Sequence, residues 1–187
     1  SYSVTGVQTC ALPIFITPTA PDEPQGKVNL AVENIHRIWQ ATAVERSAQP
    51  VFCDLSTPKD KGFSVYRDMG EKLERLGVPT REIAFIQDHD SDASKLALFR
   101  DVRAGKVRVL FGSTQKMGSG TNVQERLIAL HHLDAPWRPA DVEQREGRIL
   151  RQGNKNAVVS VFRYVTEGSF DAYMWQTLET KAKFIAQ

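Results

Sequence analysis

The chain has 187 residues, 41% hydrophobic and 25% charged, with 24 basic side chains against 22 acidic ones and a net charge of +2. That suits one domain of ordinary size with length to spare at an end and enough apolar material for a core. The near-balance of charge announces no nucleic-acid partner, no apolar run approaches a membrane span, and two distant cysteines, Cys10 and Cys53, form neither a disulfide framework nor a zinc pattern.

A reducing, cytoplasmic setting is the default expectation for such a chain. Residues 4–14, VTGVQTCALPI, resemble a translated sequencing-library adapter over the whole run. A secretory signal is the competing reading. It wants basic residues ahead of the apolar stretch, and Ser1 to Ser3 supply none. Residues 15–26 are rich in proline and polar groups and read as a linker or cut end. Residues 1–26 are therefore expected to be artefact and linker without fixed structure, the natural sequence starting near Phe15. The domain is expected to occupy residues 27–187.

From Lys27 to about Ser47, Leu30, Ile35, Ile38, Ala41 and Val44 recur at helical intervals. VFCDL (51–55) is a short apolar run suited to a buried parallel strand. Phe63 to Leu76 reads as helix closed by Gly77, EIAFIQ (82–87) as strand, and Ala93 to Ala104 as helix ended by Gly105. VRVLFG (107–112) and LIALHHLDA (127–135) read as strands. Pro139 to about Leu150 reads as helix, with proline in its first turn. AVVSVFRYVTEG (157–168) is a last strand and Ser169 to Gln187 a last helix. Alternating strands and helices predict an α/β fold, a mostly parallel sheet with helices on both faces. Right-handed crossovers collect the strand C-termini on one edge, where ligands of such sheets bind.

Three segments carry chemistry. STQKMGSGTNVQ (113–124) follows a strand and combines two glycines with hydroxyls and an amide, groups that can approach and hold a phosphate; a glycine-rich turn without ligand fits equally well. No Gly-Lys-Ser/Thr closes it, so it is not a Walker A loop. In QREGRILRQG (144–153), helical spacing puts Gln144, Arg148 and Arg151 on one face, a clamp for a polyanion. A solvated basic face is the plain alternative, although Gly147 inside a helix argues for close approach. In HHLDAPWRPADVEQ (131–144), the adjacent histidines His131 and His132 point to opposite strand faces, which disfavours a shared metal. Trp137 can stack on a base or cap the core, and the core reading is favoured. Cys53 lies in an apolar strand and reads as packing.

Together these segments resemble the C-terminal lobe of superfamily 2 helicases, in the Swi/Snf-like flavour of large phage and plasmid proteins. VFCDLSTP looks like motif IV, FGSTQKMGSGTN like motif V, and DAPWRPADVEQREGRILRQG like the Asp-x-Pro-Trp-x-Pro lead-in and motif VI. The resemblance covers about residues 28–187. It implies a three-layer RecA-like lobe of an ATP-dependent helicase or DNA translocase, with ATP and Mg²⁺ held mainly by a separate N-terminal lobe. It implies arginine fingers at Arg148 and Arg151. It places Gln144, Gly120, Asn122 and Arg145 at the nucleotide (Arg145 ranked below the fingers), and Ser113 and Thr114 near the nucleic-acid backbone. No metal ligand is implied. DNA is the favoured partner, RNA the alternative. Motif VI opens Gln-Arg-Glu-Gly-Arg, nearer the DEAH-like spelling, which leaves unwinding and translocation both open. The rival expectation is a non-catalytic RecA-like module that binds DNA or protein.

Overall fold

The computed structural model describes residues 2–10, 24–55, 64–117, 123–166 and 168–185. Among them, six strands form one sheet: β1 (Tyr2–Cys10), β2 (Gln49–Phe52), β3 (Ile83–Phe85), β4 (Val109–Gly112), β5 (Ala129–His132) and β6 (Val159–Thr166). Their order is β1-β6-β5-β2-β4-β3, and every pairing is parallel. The intervening helices are α1 (Lys27–Ala41), α2 (Val65–Arg75), α3 (Asp92–Arg103), a single turn α4 (Thr114–Met117), α5 (Pro139–Ile149) and α6 (Phe170–Ile185).

Parallel strands need crossovers, and the crossovers cover both faces. Side chains alternate between the faces along each central strand. Val51, Val109, Phe111 and Ala129 pack with Ile35 of α1 and Met69 and Leu73 of α2. Phe52, Leu110 and Leu130 pack on the opposite side with Leu98, Phe99 and Val102 of α3 and Ile149 of α5. A smaller cluster of Val165, Trp175 and Leu178 seats α6. The result is three layers with a buried sheet, the α/β architecture expected.

Several boundaries differ from the sequence reading: β2 spans Gln49–Phe52 rather than residues 51–55, β5 Ala129–His132 rather than 127–135, and two further differences are larger. α1 stops at Ala41 and leaves Val44 92% exposed, so the predicted apolar stripe ends one turn early. The chain turns there through Arg46 (φ 51°), whose guanidinium bonds Gly105 O and the Glu82 carboxylate. Gly105 (φ +72°) is needed at that crossing, because a Cβ would sit 2.9 Å from Arg46 Cβ. The second difference lies at the N-terminus. Residues 2–10, expected to lack fixed structure, run parallel to β6 as the edge strand β1. Main-chain groups make such a pairing, and an open sheet edge offers it to any extended segment free of proline.

Candidate functional site

The loops leaving β2, β4 and β5 gather at one edge of the sheet, as the crossover rule requires. One side chain ties them. Arg145, on the inner face of α5, is fully buried and places each of its five N–H groups on a partner. Nε donates to Thr114 Oγ1 (2.7 Å). Nη1 donates to His132 Nδ1 (3.2 Å) and Asp134 O (3.1 Å). Nη2 donates to Asp54 Oδ2 (2.7 Å) and Asp134 Oδ1 (3.2 Å). The guanidinium also lies over the Phe52 ring, 5.2 Å from its centroid.

The carboxylates are held just as firmly. Asp54 accepts from Thr114 N and Thr114 Oγ1, both at 2.7 Å. Asp134 accepts from the backbone N–H groups of Asp54 and Leu55. Burial would raise the Asp54 pKa, but Arg145 and Thr114 outweigh it and hold the carboxyl below its ordinary range. For Asp134, wholly buried, desolvation wins and the pKa rises despite Arg145.

His131 and His132 point to opposite faces of β5. His131 bridges Tyr164 OH (2.9 Å) and Gln49 Oε1 (3.0 Å). His132 accepts from Arg145 through Nδ1, so Nε2 carries the hydrogen and donates to Glu146 Oε1 (3.2 Å). Glu146 also receives Arg163 Nη2 at 3.0 Å. Burial pushes His131 down to about 3 and His132 to about 4, from 6.5. Both are therefore neutral at pH 7. Since the folded values lie below the unfolded one, the unfolded chain binds more protons between pH 6.5 and about 4. Stability is complete above 6.5 and is lost as pH falls through that window, by about 1.4 kcal/mol per pH unit for each histidine. Urea midpoints should drop clearly between pH 7.5 and pH 5; equal midpoints would contradict buried neutral imidazoles.

The outer face of α5 is different. Gln144, Gly147 and Arg151 are exposed and Arg148 is half-buried. Arg148 and Arg151 make no ion pair among the described residues, and Arg148 Nε has no hydrogen-bond partner there. Burial and the like charge of Arg151 both push the Arg148 pKa down. The helix ends at Ile149, so Arg151 stands just beyond it, in the turn before Gly153, rather than on a continuing helical face. A Cβ on Gly147 would meet nothing within 4 Å. No contact among the described residues requires glycine at this helical position.

The predicted site residues thus separate. Gln144, Arg148 and Arg151 share an open surface. Arg145, open in the sequence between a structural and a nucleotide-facing role and ranked below the fingers, is buried and fully bonded inside the chain, because its helical position faces the sheet rather than solvent. Thr114 is also turned inward. It is 8% exposed, and its hydroxyl is engaged by Asp54 and Arg145. Ser113 is 9% exposed, with Oγ accepting from Lys116 N. Gly120 and Asn122 lie outside the described residues. Trp137 departs from the core reading. It is 62% exposed against the Phe170 ring, because Asp134 is pinned inward, Pro136 stays buried, and the chain turns outward at Trp137 and Arg138. The sequence reading assigned no role to Asp54, Asp134, His132 or Glu146 in holding this site. The available signal was charge standing directly after buried strands.

Comparison with known proteins now decides the family. The helicase conserved C-terminal domain matches residues 59–153, half of the chain. The chain belongs to the helicase conserved C-terminal domain family. Defense against restriction protein B of Escherichia phage P1 is 37% identical over 86 residues, covering 46% of this chain and 4% of that protein. The chain therefore spans only a small part of that relative. Among solved structures, this helicase C-terminal domain is similar to S. cerevisiae Dbp5 bound to RNA and ADP BeF3 (TM-score 0.60, 16% identity, 83% of this chain and 36% of that one). It is also similar to the C-terminal part of the Fun30 ATPase domain (0.58, 15%, 77% and 43%). A third is the DUF1998 helicase MrfA bound to DNA (0.57, 12%, 84% and 21%). At these identities the likeness concerns the fold, which is RecA-like. Among the described residues, no helix is long and apolar enough to cross a membrane.

Proposed function

We propose that this helicase C-terminal domain is the second lobe of an ATP-dependent nucleic-acid helicase or DNA translocase. In this reading a first lobe holds ATP and Mg²⁺, and Arg148 and Arg151 reach the γ-phosphate across the cleft, with Gln144 lining the same cleft. The carrying observation is the contrast on α5. Arg145 is saturated by internal partners, whereas Arg148, one turn on, and Arg151, just past the helix end, pair with no carboxylate among the described residues. Two uncompensated guanidiniums suit a polyphosphate. They would neutralise charge spread over the transferring phosphoryl group, worth roughly 10³–10⁵ in rate.

Gly147 supports a partner at this face. Glycine inside a helix costs about 1 kcal/mol relative to alanine, and no contact among the described residues offsets it. Gly147→Ala should stabilise the isolated chain by about 1 kcal/mol in urea unfolding while lowering ATP turnover of the two-lobed protein. Unchanged turnover would mean that nothing approaches this face.

Gly120 and Asn122 are assigned to the nucleotide on the resemblance alone. DNA is the proposed partner, with RNA as the alternative; structural relatives are bound to one or the other. The decisive experiment measures ATP hydrolysis by this chain alone and by the chain joined to its first lobe. The chain alone, which has no Walker A lysine motif and whose single Asp-Glu pair, Asp22-Glu23, follows Thr-Pro-Thr-Ala-Pro rather than an apolar strand-like run, should show none, and the joined protein should turn over. Turnover by the isolated chain would refute the reading. A joined protein that binds nucleic acid but leaves ATP intact would point to the non-catalytic binding module.

A further inference from the structure

We infer that Arg145 is a positioning residue that couples the arginine-bearing helix to the glycine-rich loop after β4. The inference rests on the reading of Arg148 as nucleotide-facing and goes beyond it, because Arg145 touches no substrate.

The geometry is that of a strut between α5 and the turn α4 that follows β4. At one end Arg145 belongs to α5, one turn before Arg148. At the other it grips Thr114, the first residue of α4 within the 113–124 segment, by a 2.7 Å bond from Nε. Asp54 closes a triangle. It receives Arg145 Nη2 at 2.7 Å and both donors of Thr114 at 2.7 Å. Asp134 ties the same guanidinium to the β2 loop through the Leu55 N–H at 2.8 Å. Five donors on one planar, fully buried group leave little slack.

The helix end of the strut is fixed too. His132 sits between two neighbouring residues of α5, accepting from Arg145 and donating to Glu146. Glu146 is braced by Arg163, which lies over the Trp175 ring of α6. Helix α5 therefore does not slide freely beneath Arg145. A displacement of α5 driven from its outer face is carried to Thr114 and into the loop that follows. Packed, hydrogen-bonded elements of this kind shift as units. Lysine would offer three donors from one point where arginine offers five in a planar fork, so charge alone does not reproduce the strut.

The test uses the protein that carries both lobes. ATP turnover is measured without nucleic acid and with single-stranded DNA, duplex DNA or single-stranded RNA, taking whichever stimulates the unmodified protein most. Arg145→Lys, and Thr114→Val at the receiving end, should each reduce the ratio of stimulated to basal turnover about tenfold. The Michaelis constant for ATP should stay within about threefold. The double variant should be no worse than the more severe single one, because both cut the same link. A merely structural role would lower basal and stimulated rates together, in step with the folded fraction from urea unfolding, and would leave the ratio intact. An intact ratio, or independent multiplying losses, overturns the coupling role. A protein that no nucleic acid stimulates also overturns it. Arg148→Ala run in parallel separates the two readings: if it leaves basal turnover unchanged, the nucleotide-facing assignment has failed, whatever Arg145 does.

Discussion

Arg148→Ala, in the protein that carries this lobe together with its phosphate-gripping partner, is expected to cut ATP turnover by a factor on the order of 10³ or more. The structure makes the variant a clean one. Arg148 is half-buried on the outer face of α5 and pairs with no carboxylate among the described residues. Removing it strands no internal charge and relieves repulsion from Arg151. Folding stability should therefore change by no more than about 0.5 kcal/mol, the usual range for a surface substitution. ATP binding should weaken far less than turnover falls, because the interaction develops in the transition state. Arg151→Ala should behave in the same direction. Steady-state kinetics beside a nucleotide-binding titration decides the matter: parallel losses in binding and turnover would remove the finger role.

Asp134→Ala is expected to have the largest effect on folding. Asp134 is fully buried and answers three donors, the Asp54 and Leu55 N–H groups and Arg145 Nη2. Alanine leaves two main-chain donors without partners and the Arg145 charge with Asp54 alone. Breaking one side of a buried ion pair typically costs about 3–5 kcal/mol. For a domain of this size that corresponds to roughly 10 °C in melting temperature. Asp134→Asn keeps one acceptor oxygen in place and should lose less. Thermal and urea unfolding of the chain measure both. If Asp134→Ala unfolds within 1–2 °C of the unmodified chain, Arg145 does not depend on its buried partners as described.

These two variants separate what the two halves of α5 do. The inner face, with Arg145 and Glu146, holds the loops of β2, β4 and β5 together. The outer face carries exposed Gln144 and Gly147 and half-buried Arg148, with exposed Arg151 just past the helix end. A run of arginines in a sequence does not announce this division, although 3.6-residue periodicity sets Arg145 apart from the face that Gln144 and Arg148 share.

Much of the fold was legible without coordinates. Apolar runs such as VFCDL and VRVLFG locate the strands, because strands buried on both faces must be apolar throughout. Gly77 and Gly105 mark the ends of α2 and α3, and both have positive φ. Pro139 opens α5 as expected of a first-turn proline. The motif order implied the family, and the family match agrees. Side-chain direction at the loop positions was less legible. Val44 continued the helical period of α1 yet lies exposed, because the turn at Arg46 is fixed by contacts with Glu82 and Gly105 far away in the chain. Trp137 looked like core by its chemistry, but its loop is steered by where Asp134 is pinned.

The order of strands and helices, the apolar alternation and the motif VI spacing were determined by the sequence itself, since these follow from local periodicity and from residue types at fixed offsets. Which arginine turns inward to serve as a strut and which stays open to a partner was decided only in the tertiary structure. The reason is that the carboxylates that capture Arg145 lie 91 and 11 residues away along the chain, and only closure of the sheet brings Asp54 and Asp134 to the same guanidinium.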